Sequence, residues 1–262
     1  MTLATSVIDA LAERLDTAAL TGRAIDKITD DVPDMSWADA YAIQRRLRTR
    51  EQARGARMVG VKAGLTSFAK MQQMGVSEPV MGYLTDRGSL GADCTVVVAD
   101  LIHPRIEAEI AFRLRAPLKG PGCHIAAALA AIETVHVAAE IIDSRYRDFR
   151  FDLKSVIADN TSAARYATGS GVAMRPGMDL ADLGIVMEKN GAVVATASGA
   201  AVLGHPAASL AMLADLAAVQ GEEIAAGALV LTGGATEAVA VAAGDVVTIR
   251  CQQLDPITIY FI

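Results

Sequence analysis

The sequence predicts an α+β fold in which helices occupy the N-terminal region and a strand-rich remainder can close into a β-roll. Three observations support this class: residues 1–56 show helical patterns of apolar residues, short β-prone runs begin at Met58, and the last third alternates such runs with turn residues. No internal repeat or low-complexity linker divides the chain. We therefore treat a helical region (1–56) and a β-roll region (57–262) as one structural unit.

A helix is predicted to begin after Ser36, because a serine at this position can cap the free backbone N–H groups of the first turn. Asp39 lies in that first turn, where a negative charge is favourable, and the helix is expected to end near Gly55. Its apolar stripe consists of Trp37, Tyr41 and Leu47.

Further elements follow in order along the chain. Another helix is expected to start at Thr66, and helices are predicted at 126–132 and 209–219. Strands are predicted at 58–62, 95–99, 106–114, 185–188, 192–196, 229–232, 246–250 and 257–262. The dipeptide Asn190-Gly191 between two of these strands is a strong hairpin signal.

The composition argues against several classes of partner. A net charge of −6 is unfavourable for binding nucleic acid, because phosphates require a basic surface. Three widely spaced cysteines fit reduced thiols in a cytoplasm better than a disulfide framework. Charged residues interrupt the first twenty positions and the later alanine-rich segments, so we expect neither a signal peptide nor a membrane span. The expected location is the cytoplasm.

The strongest chemical signal is a pair of acids in the β-prone run that begins at Arg105. Side chains alternate along a strand, so Glu107 and Glu109 leave it on the same side, with Cα atoms about 7 Å apart. Two like charges on a mostly buried strand resist desolvation and need a partner such as a metal ion. The alternative is a strand whose acidic face meets water. A third acid, Glu140, also lies among apolar residues.

Three carboxylates without a nearby cysteine or histidine pair favour Mg²⁺ or Mn²⁺ over zinc, and leave coordination positions for a 2-oxo acid. Lys62 lies just before Gly64, where a ligand can approach the backbone, and could donate a hydrogen bond or move a proton. The alternative is a surface lysine. Polar clusters at 143–146 and 159–162 fit either the rim of a site or turns that cap their own backbone.

Other catalytic motifs are missing. The glycines at 169–171 and 233–234 lack the remaining residues of a dinucleotide fingerprint or a phosphate loop. The four histidines show no HExxH spacing, and no serine has a nucleophile-elbow context. Nucleophilic catalysis therefore has little support.

Six segments resemble, in order, the hydratase/decarboxylase family of the fumarylacetoacetate hydrolase superfamily, and the resemblance runs from about Trp37 to the C-terminus. The segments are 60–67 (Gly-Val-Lys-Ala-Gly-Leu-Thr-Ser), 105–112 (Arg-Ile-Glu-Ala-Glu-Ile-Ala-Phe), 120–122 (Gly-Pro-Gly), 140–146 (Glu-Ile-Ile-Asp-Ser-Arg-Tyr), 157–162 (Ile-Ala-Asp-Asn-Thr-Ser) and 203–206 (Leu-Gly-His-Pro). The resemblance implies a mixed β-roll core, a metal triad of Glu107, Glu109 and Glu140, and an active-site role for Lys62.

The family contains two competing chemistries. One is decarboxylation of 2-oxo-3-hexenedioate to 2-hydroxypenta-2,4-dienoate in aromatic meta-cleavage catabolism, and the other is hydration of that dienoate. The run from Asp143 to Phe151 resembles the decarboxylases, whereas the hydratases carry a tryptophan near Phe149. The hydratases also tend to have an aspartate where this chain has Val80. Losing that charge suits a substrate with a second carboxylate, because two anions in a dry pocket repel.

The proposed mechanism gives roles to further residues. Ser162 is expected to orient the substrate, and an apolar wall of Leu65 and Val80 is expected to desolvate the departing carboxylate. Asp143 and Arg145 are expected to contact a small 2-oxo dicarboxylic acid. We expect a homo-oligomer that uses Mg²⁺ or Mn²⁺. A complex with the pathway hydratase is a further hypothesis, and in one alternative the chain is a non-catalytic partner of that hydratase.

Overall fold

The computed structural model describes residues 2–67, 79–91 and 94–262. The α-helices in these ranges are α1 (Thr5–Thr21), α2 (Trp37–Ala53), α3 (Ile125–Ala131), α4 (Leu153–Ala158) and α5 (Pro206–Val219). The strands are β1 (Met58–Gly64), β2 (Val80–Thr85), β3 (Thr95–Val96), β4 (Arg105–Leu114), β5 (Ile132–Ile142), β6 (Ala163–Thr168), β7 (Val172–Ala173), β8 (Gly184–Lys189), β9 (Ala192–Ser198), β10 (Leu229–Leu231), β11 (Val239–Ala240), β12 (Val246–Cys251) and β13 (Leu254–Phe261). The helix expected to start at Thr66 falls beyond Ser67, outside the described residues.

The strands form two mixed sheets. The larger has the order β2-β1-β10-β4-β5-β6, with β11 beside β4 and β7 beside β5. The smaller has the order β3-β13-β12-β8-β9. Most neighbours are antiparallel, whereas β1 pairs in parallel with β10, and β13 pairs in parallel with β3. The two sheets and the helices that precede them confirm the predicted α+β class.

The main core lies on one face of β4. Ile106 and Ile110 are fully buried with Ile249 of β12, Ile259 of β13 and Leu210 of α5. The alternate positions of β4, which include the two glutamates, therefore leave the opposite face of the strand. This alternation, which the sequence predicts, places the apolar side chains of β4 in the core and its glutamates on the opposite face of the larger sheet.

The N-terminal helices have their own apolar cluster. Ser36 and Asp39 form a reciprocal capping box at the start of α2, which confirms the predicted helix start. The residues of α2 that enter the cluster are Ala40, Tyr41, Ile43 and Leu47. Trp37 was expected to belong to the buried stripe, but it is 39% exposed because it occupies the first helical position. Tyr83 of β2 belongs to the same cluster, so this region packs directly on the larger sheet.

The α2 side chain of Gln44 ties three elements together. Its buried amide donates hydrogen bonds of 2.9 Å to the carbonyl oxygens of Met81 in β2 and Ile157 in α4. Because a buried amide must be satisfied, this arrangement fixes the helix against two neighbours that border the site.

Two predicted boundaries differ from the structure for identifiable reasons. The helix predicted at 209–219 begins at Pro206, because the ring of His205 accepts a hydrogen bond from the backbone N–H of Ala207 (3.0 Å) and caps it. The strand predicted at 95–99 is only two residues long, because β3 pairs with just Tyr260 and Phe261 of β13.

One described segment, Gly199–Val219, has the length and hydropathy of a membrane-spanning helix. Half of its apolar window is buried inside the protein, and buried helices in a protein core have the same composition. In this chain the segment includes α5, which packs in the main core through Leu210 and Leu213.

Candidate metal centre and substrate cavity

Three acids meet on the face of the larger sheet opposite the main core. The antiparallel register of β4 and β5 places Glu107 directly opposite Glu140, and Glu109 follows two residues further along β4. One carboxylate oxygen of each residue lies within 4.8 Å of the other two. The three residues are 8%, 1% and 0% exposed respectively, so the acidic face of β4 does not meet water. The structure thus brings together the three residues predicted to bind a metal.

Without a cation, this cluster is unfavourable in its ionised form. Burial raises the pKa of Glu109 well above its ordinary value, and the charges of Glu140 and Glu107 raise it further. Burial also raises the pKa of Glu140, although Lys62 beside it acts in the opposite direction. Glu109 Oε1 and Glu140 Oε2 are buried and accept no hydrogen bond from the described residues. Such a set of oxygens fits a hard divalent cation.

Lys62 of β1 is held against this cluster. Its Nζ lies 2.9 Å from Glu140 Oε1 and donates a 3.1 Å hydrogen bond to the carbonyl oxygen of Thr161. The residue is 3% exposed, so it is not the surface lysine of the alternative interpretation. An ammonium group has three N–H donors, and these two contacts leave one for a ligand oxygen.

Two glycines after β10 let the backbone approach the acids. The N–H of Gly233 donates a 2.8 Å hydrogen bond to Glu109 Oε2, and its φ of +99° is a conformation that favours glycine. A Cβ atom on Gly234 would lie 2.6 Å from Glu107 Oε2. This pair of glycines, which matches no nucleotide-binding motif, therefore forms one wall of the carboxylate cluster.

A cavity of about 500 Å³ adjoins the cluster. It is lined by five residues that the sequence analysis proposed for the site: Lys62, Leu65, Val80, Glu107 and Ser162. Further apolar lining comes from Phe149, Phe151 and Val156. The cavity therefore combines an acidic and cationic edge with an apolar wall.

A left-handed turn carries hydroxyl groups to the cavity. Asn160, Thr161 and Ser162 have φ values of 48°, 53° and 60°, which is unusual for three consecutive residues other than glycine. The side chain of Asn160 holds the turn, because its amide accepts from the backbone N–H of Tyr83 (2.8 Å) and donates to the carbonyl of the same residue (3.1 Å). Thr161 Oγ1 and Ser162 Oγ are buried and have no hydrogen-bond partner among the described residues.

Asp143 and Arg145 do not line this cavity, so the structure does not place them beside the other predicted site residues. The guanidinium of Arg145 is buried in an ion pair with Asp159 and also donates to the carbonyl of Asp143 (2.7 Å). The Asp143 carboxylate accepts backbone N–H groups of Ile102 (2.9 Å) and His103 (2.7 Å). Burial raises the pKa of Asp159 to about 6, although Arg145 opposes that shift. These groups support the turn that carries Ser162.

Most of the chain matches a known protein family. Residues 57–259 match the family described as fumarylacetoacetate (FAA) hydrolase C-terminal. The chain belongs to the fumarylacetoacetate hydrolase family. This finding confirms the resemblance found in the sequence, and the matched range covers the acids, Lys62 and every strand except the last two residues of β13.

Relatives within the fumarylacetoacetate hydrolase family carry two kinds of name. A 4-oxalocrotonate decarboxylase from Pseudomonas sp. (strain CF600) is 52% identical over 261 residues, covering 100% of this chain and 99% of the relative. A 2-keto-4-pentenoate hydratase from Paraburkholderia xenovorans (strain LB400) is 38% identical over 235 residues, covering 90% and 87%. The solved structure of a 4-oxalocrotonate decarboxylase from Pseudomonas putida G7, complexed with magnesium and adipate, matches with a TM-score of 0.97 at 50% identity, covering 100% and 99%.

Several cavity residues of this fumarylacetoacetate hydrolase family member were not assigned to the site from the sequence, and three of them are Arg105, Thr66 and Thr161. Arg105 shares a strand face with Glu107 and lines the cavity, so strand alternation alone could have found it. Thr66 and Thr161 also line it, and their buried hydroxyls lack partners among the described residues. Thr161 belongs to the polar cluster 159–162, which the sequence marks as either a site rim or a turn. No local pattern marks Thr66 as a cavity residue.

Proposed function

We propose that this chain is a metal-dependent decarboxylase that converts 2-oxo-3-hexenedioate into 2-hydroxypenta-2,4-dienoate and CO₂. The observation that carries this proposal is the difference in similarity: decarboxylase relatives are 44–53% identical, whereas hydratase relatives are 36–38% identical. The carboxylate cluster beside Lys62 supports it, because the reaction needs a place where negative charge can develop on the 2-oxo group.

The chemistry requires an electron sink. As the bond between C5 and C6 breaks, its electron pair forms the C4–C5 double bond, the C3–C4 pair moves to C2–C3, and negative charge reaches the C2 oxygen. The C6 carboxylate leaves as CO₂, and the oxygen takes up a proton. A divalent cation held by Glu107, Glu109 and Glu140 would act as a Lewis acid that polarises the 2-oxo group.

The remaining groups of the site act on the substrate directly. Lys62 Nζ, fixed by Glu140 and Thr161, is placed to donate its third hydrogen to the C2 oxygen as charge develops there. The hydroxyls of Ser162 and Thr161 are buried, have no hydrogen-bond partner among the described residues, and can orient the substrate by donating to a carboxylate. Donors that are fixed before reaction stabilise the developing charge without reorganisation.

The apolar wall has a separate role. Leu65 and Val80 line the cavity together with Phe151, so a substrate carboxylate placed there loses part of its hydration. Its charge disappears as CO₂ forms, and an apolar surface therefore favours the transition state over the ionised ground state.

The cation and the assembly are part of the same proposal. Mg²⁺ is our first choice, and Mn²⁺ is the alternative, because both prefer oxygen ligands. We further propose that the protein acts in the cytoplasm as a homo-oligomer, and that it associates with the pathway hydratase. These statements rest on the composition and on the family resemblance.

One assay separates the candidate functions. The purified protein is incubated with 2-oxo-3-hexenedioate, with Mg²⁺ or after treatment with a chelator, and both ultraviolet loss of substrate and released CO₂ are followed. A decarboxylase consumes the substrate and releases CO₂ only with the cation. A hydratase consumes 2-hydroxypenta-2,4-dienoate instead, and a non-catalytic partner consumes neither. Either of the last two results would reject the proposed function.

A further inference from the structure

Arg105 is a cationic residue of the cavity that no part of the proposed chemistry uses. It is the first residue of β4, and strand alternation places its side chain on the same face as Glu107. Both residues line the cavity. The two residues are two positions apart, which separates their Cα atoms by about 7 Å in a strand. The Arg105 guanidinium therefore lies at some distance from the carboxylate cluster, towards the start of β4.

The guanidinium has a defined place. Its central carbon lies 4.5 Å from the centroid of the Phe149 ring, a geometry in which the cation stacks on the ring and its N–H edges stay available. The ring of His103 also contacts the Phe149 ring, with the two ring centroids 4.5 Å apart. Asp148 and Phe149 both have positive φ values, 57° and 56°, so the backbone accepts an uncommon conformation where it presents this ring.

The Arg105 side chain is exposed and has no acidic partner among the residues that the structure describes, and its guanidinium lies over the Phe149 ring. By contrast, Lys62 is engaged by Glu140 and Thr161. Among the described residues that line the cavity, the other charged side chain away from the cluster is that of Glu237, which is exposed and would repel an anion. An anionic group of a ligand at this end therefore has Arg105 as its favourable partner.

We propose that Arg105 binds the second carboxylate of the substrate and so selects dicarboxylic over monocarboxylic 2-oxo acids. This inference rests on the proposed function, because it assumes that the 2-oxo end lies at the carboxylate cluster. A planar guanidinium matches a carboxylate through two parallel N–H donors.

The reaction chemistry predicts an unusual kinetic signature. The second carboxylate is charged in the bound substrate and becomes neutral CO₂, so its ion pair with Arg105 is stronger in the ground state than in the transition state. Removing the guanidinium should therefore raise KM about 10- to 100-fold while kcat stays the same or increases. A residue that only supports the fold would not separate KM from kcat in this way.

The test compares adipate with hexanoate, which has the same chain length and one carboxylate. Calorimetric titrations of the Mg²⁺-loaded protein measure both affinities in the wild type, Arg105→Met, Arg105→Lys and Arg113→Met. Arg113 lies near the other end of β4, outside this cavity, and is the matched control. We expect the wild type and Arg113→Met to prefer adipate at least about tenfold. Arg105→Met should lose the preference for adipate. Arg105→Lys should keep part of it, because lysine retains the positive charge but lacks the paired N–H donors of the guanidinium.

Three results would overturn the inference: no preference for adipate in the wild type, an unchanged preference in Arg105→Met, or a lower kcat at unchanged KM in that variant. The binding comparison does not depend on turnover. A wild type that prefers adipate through Arg105 but releases no CO₂ from 2-oxo-3-hexenedioate would reject the proposed function alone and leave the dicarboxylate site standing.

Discussion

Glu107 of β4 faces Glu140 of β5 as a direct cross-strand pair, and both carboxylates are buried. Like charges in this relationship destabilise a sheet, and burial adds a desolvation cost. Glu109 adds a third buried acid, whereas Lys62 provides one positive charge. The folded chain therefore contains a repulsion between carboxylates that a divalent cation would relieve. Removing one of these charges should stabilise the protein without metal and weaken its stabilisation by metal.

Glu109→Gln tests this arrangement. Without a divalent cation the variant should unfold at a higher temperature than the wild type, because one buried charge is removed from the cluster. With Mg²⁺ its affinity should fall by more than about tenfold, since even the loss of an outer-shell partner costs about 10- to 100-fold. Thermal unfolding across a Mg²⁺ titration measures both effects, because the stabilisation depends on the ratio of free cation to Kd. Exposed Glu133 of β5 provides the control variant Glu133→Gln. An unchanged Mg²⁺ dependence in Glu109→Gln would refute the metal triad.

Lys62→Met separates catalysis from metal binding. The variant should retain Mg²⁺, or bind it more tightly, because the positive charge next to Glu140 is lost. Its kcat should fall about 10²- to 10³-fold, the typical cost of losing a donor to a developing oxyanion. Calorimetry with Mg²⁺ and the CO₂ release assay measure the two quantities independently. Exposed Lys119→Met should change neither quantity. Loss of the cation from Lys62→Met would instead give Lys62 a structural role.

Gly234→Ala tests whether the glycine wall positions Glu107. The added Cβ would lie 2.6 Å from Glu107 Oε2, so the carboxylate must move and Mg²⁺ affinity should fall. Gly184→Ala at the start of β8 is the matched control, because the nearest atom to its added Cβ, Gln252 Oε1, is 3.9 Å away. Far-ultraviolet circular dichroism establishes that both variants fold, and a Mg²⁺ titration compares their affinities. Equal affinity in a folded Gly234→Ala protein would show that this contact does not position the acid.

Local patterns in the sequence predicted the elements whose causes are local. The Ser36 cap, the Asn190–Gly191 turn and the alternation of β4 all depend on residues within a few positions of one another. The pair Glu107 and Glu109 could be assigned to one strand face for the same reason. Glu140 was proposed as a third acid because it lies among apolar residues, and the family resemblance strengthened that assignment. Its distance in sequence hides its place opposite Glu107.

The contacts that the sequence did not reveal are long-range. Nothing near Arg145 in sequence indicates that its guanidinium is consumed by a buried ion pair with Asp159, so a polar residue after an apolar run was taken for a ligand contact. Likewise, Thr161 reaches the cavity only because the Asn160 side chain anchors the turn on Tyr83 of β2, more than seventy residues earlier. Such contacts are fixed by sheet order and register, which local patterns do not specify.

His136 of β5 should make stability depend on pH, apart from the metal site. Burial lowers the pKa of its imidazole below the ordinary value of 6.5, although a hydrogen bond between Nδ1 and the carbonyl of Gly169 (2.9 Å) partly opposes the shift. Because the folded pKa lies below the unfolded value, this contribution to stability is complete above pH 6.5 and is lost as the pH falls through the folded pKa.

The free energy of unfolding should therefore decrease with acidification below pH 6.5, by at most about 1.4 kcal/mol per pH unit from one group. Denaturant unfolding between pH 5 and 8 measures this slope in the wild type and in His136→Gln, whose neutral amide does not titrate. The slope should be smaller in the variant. His205→Asn, which keeps a capping side chain at α5, is the control for the other histidine whose pKa burial lowers. Identical slopes in the wild type and His136→Gln would show that the imidazole of His136 is protonated equally easily in the folded and unfolded chains.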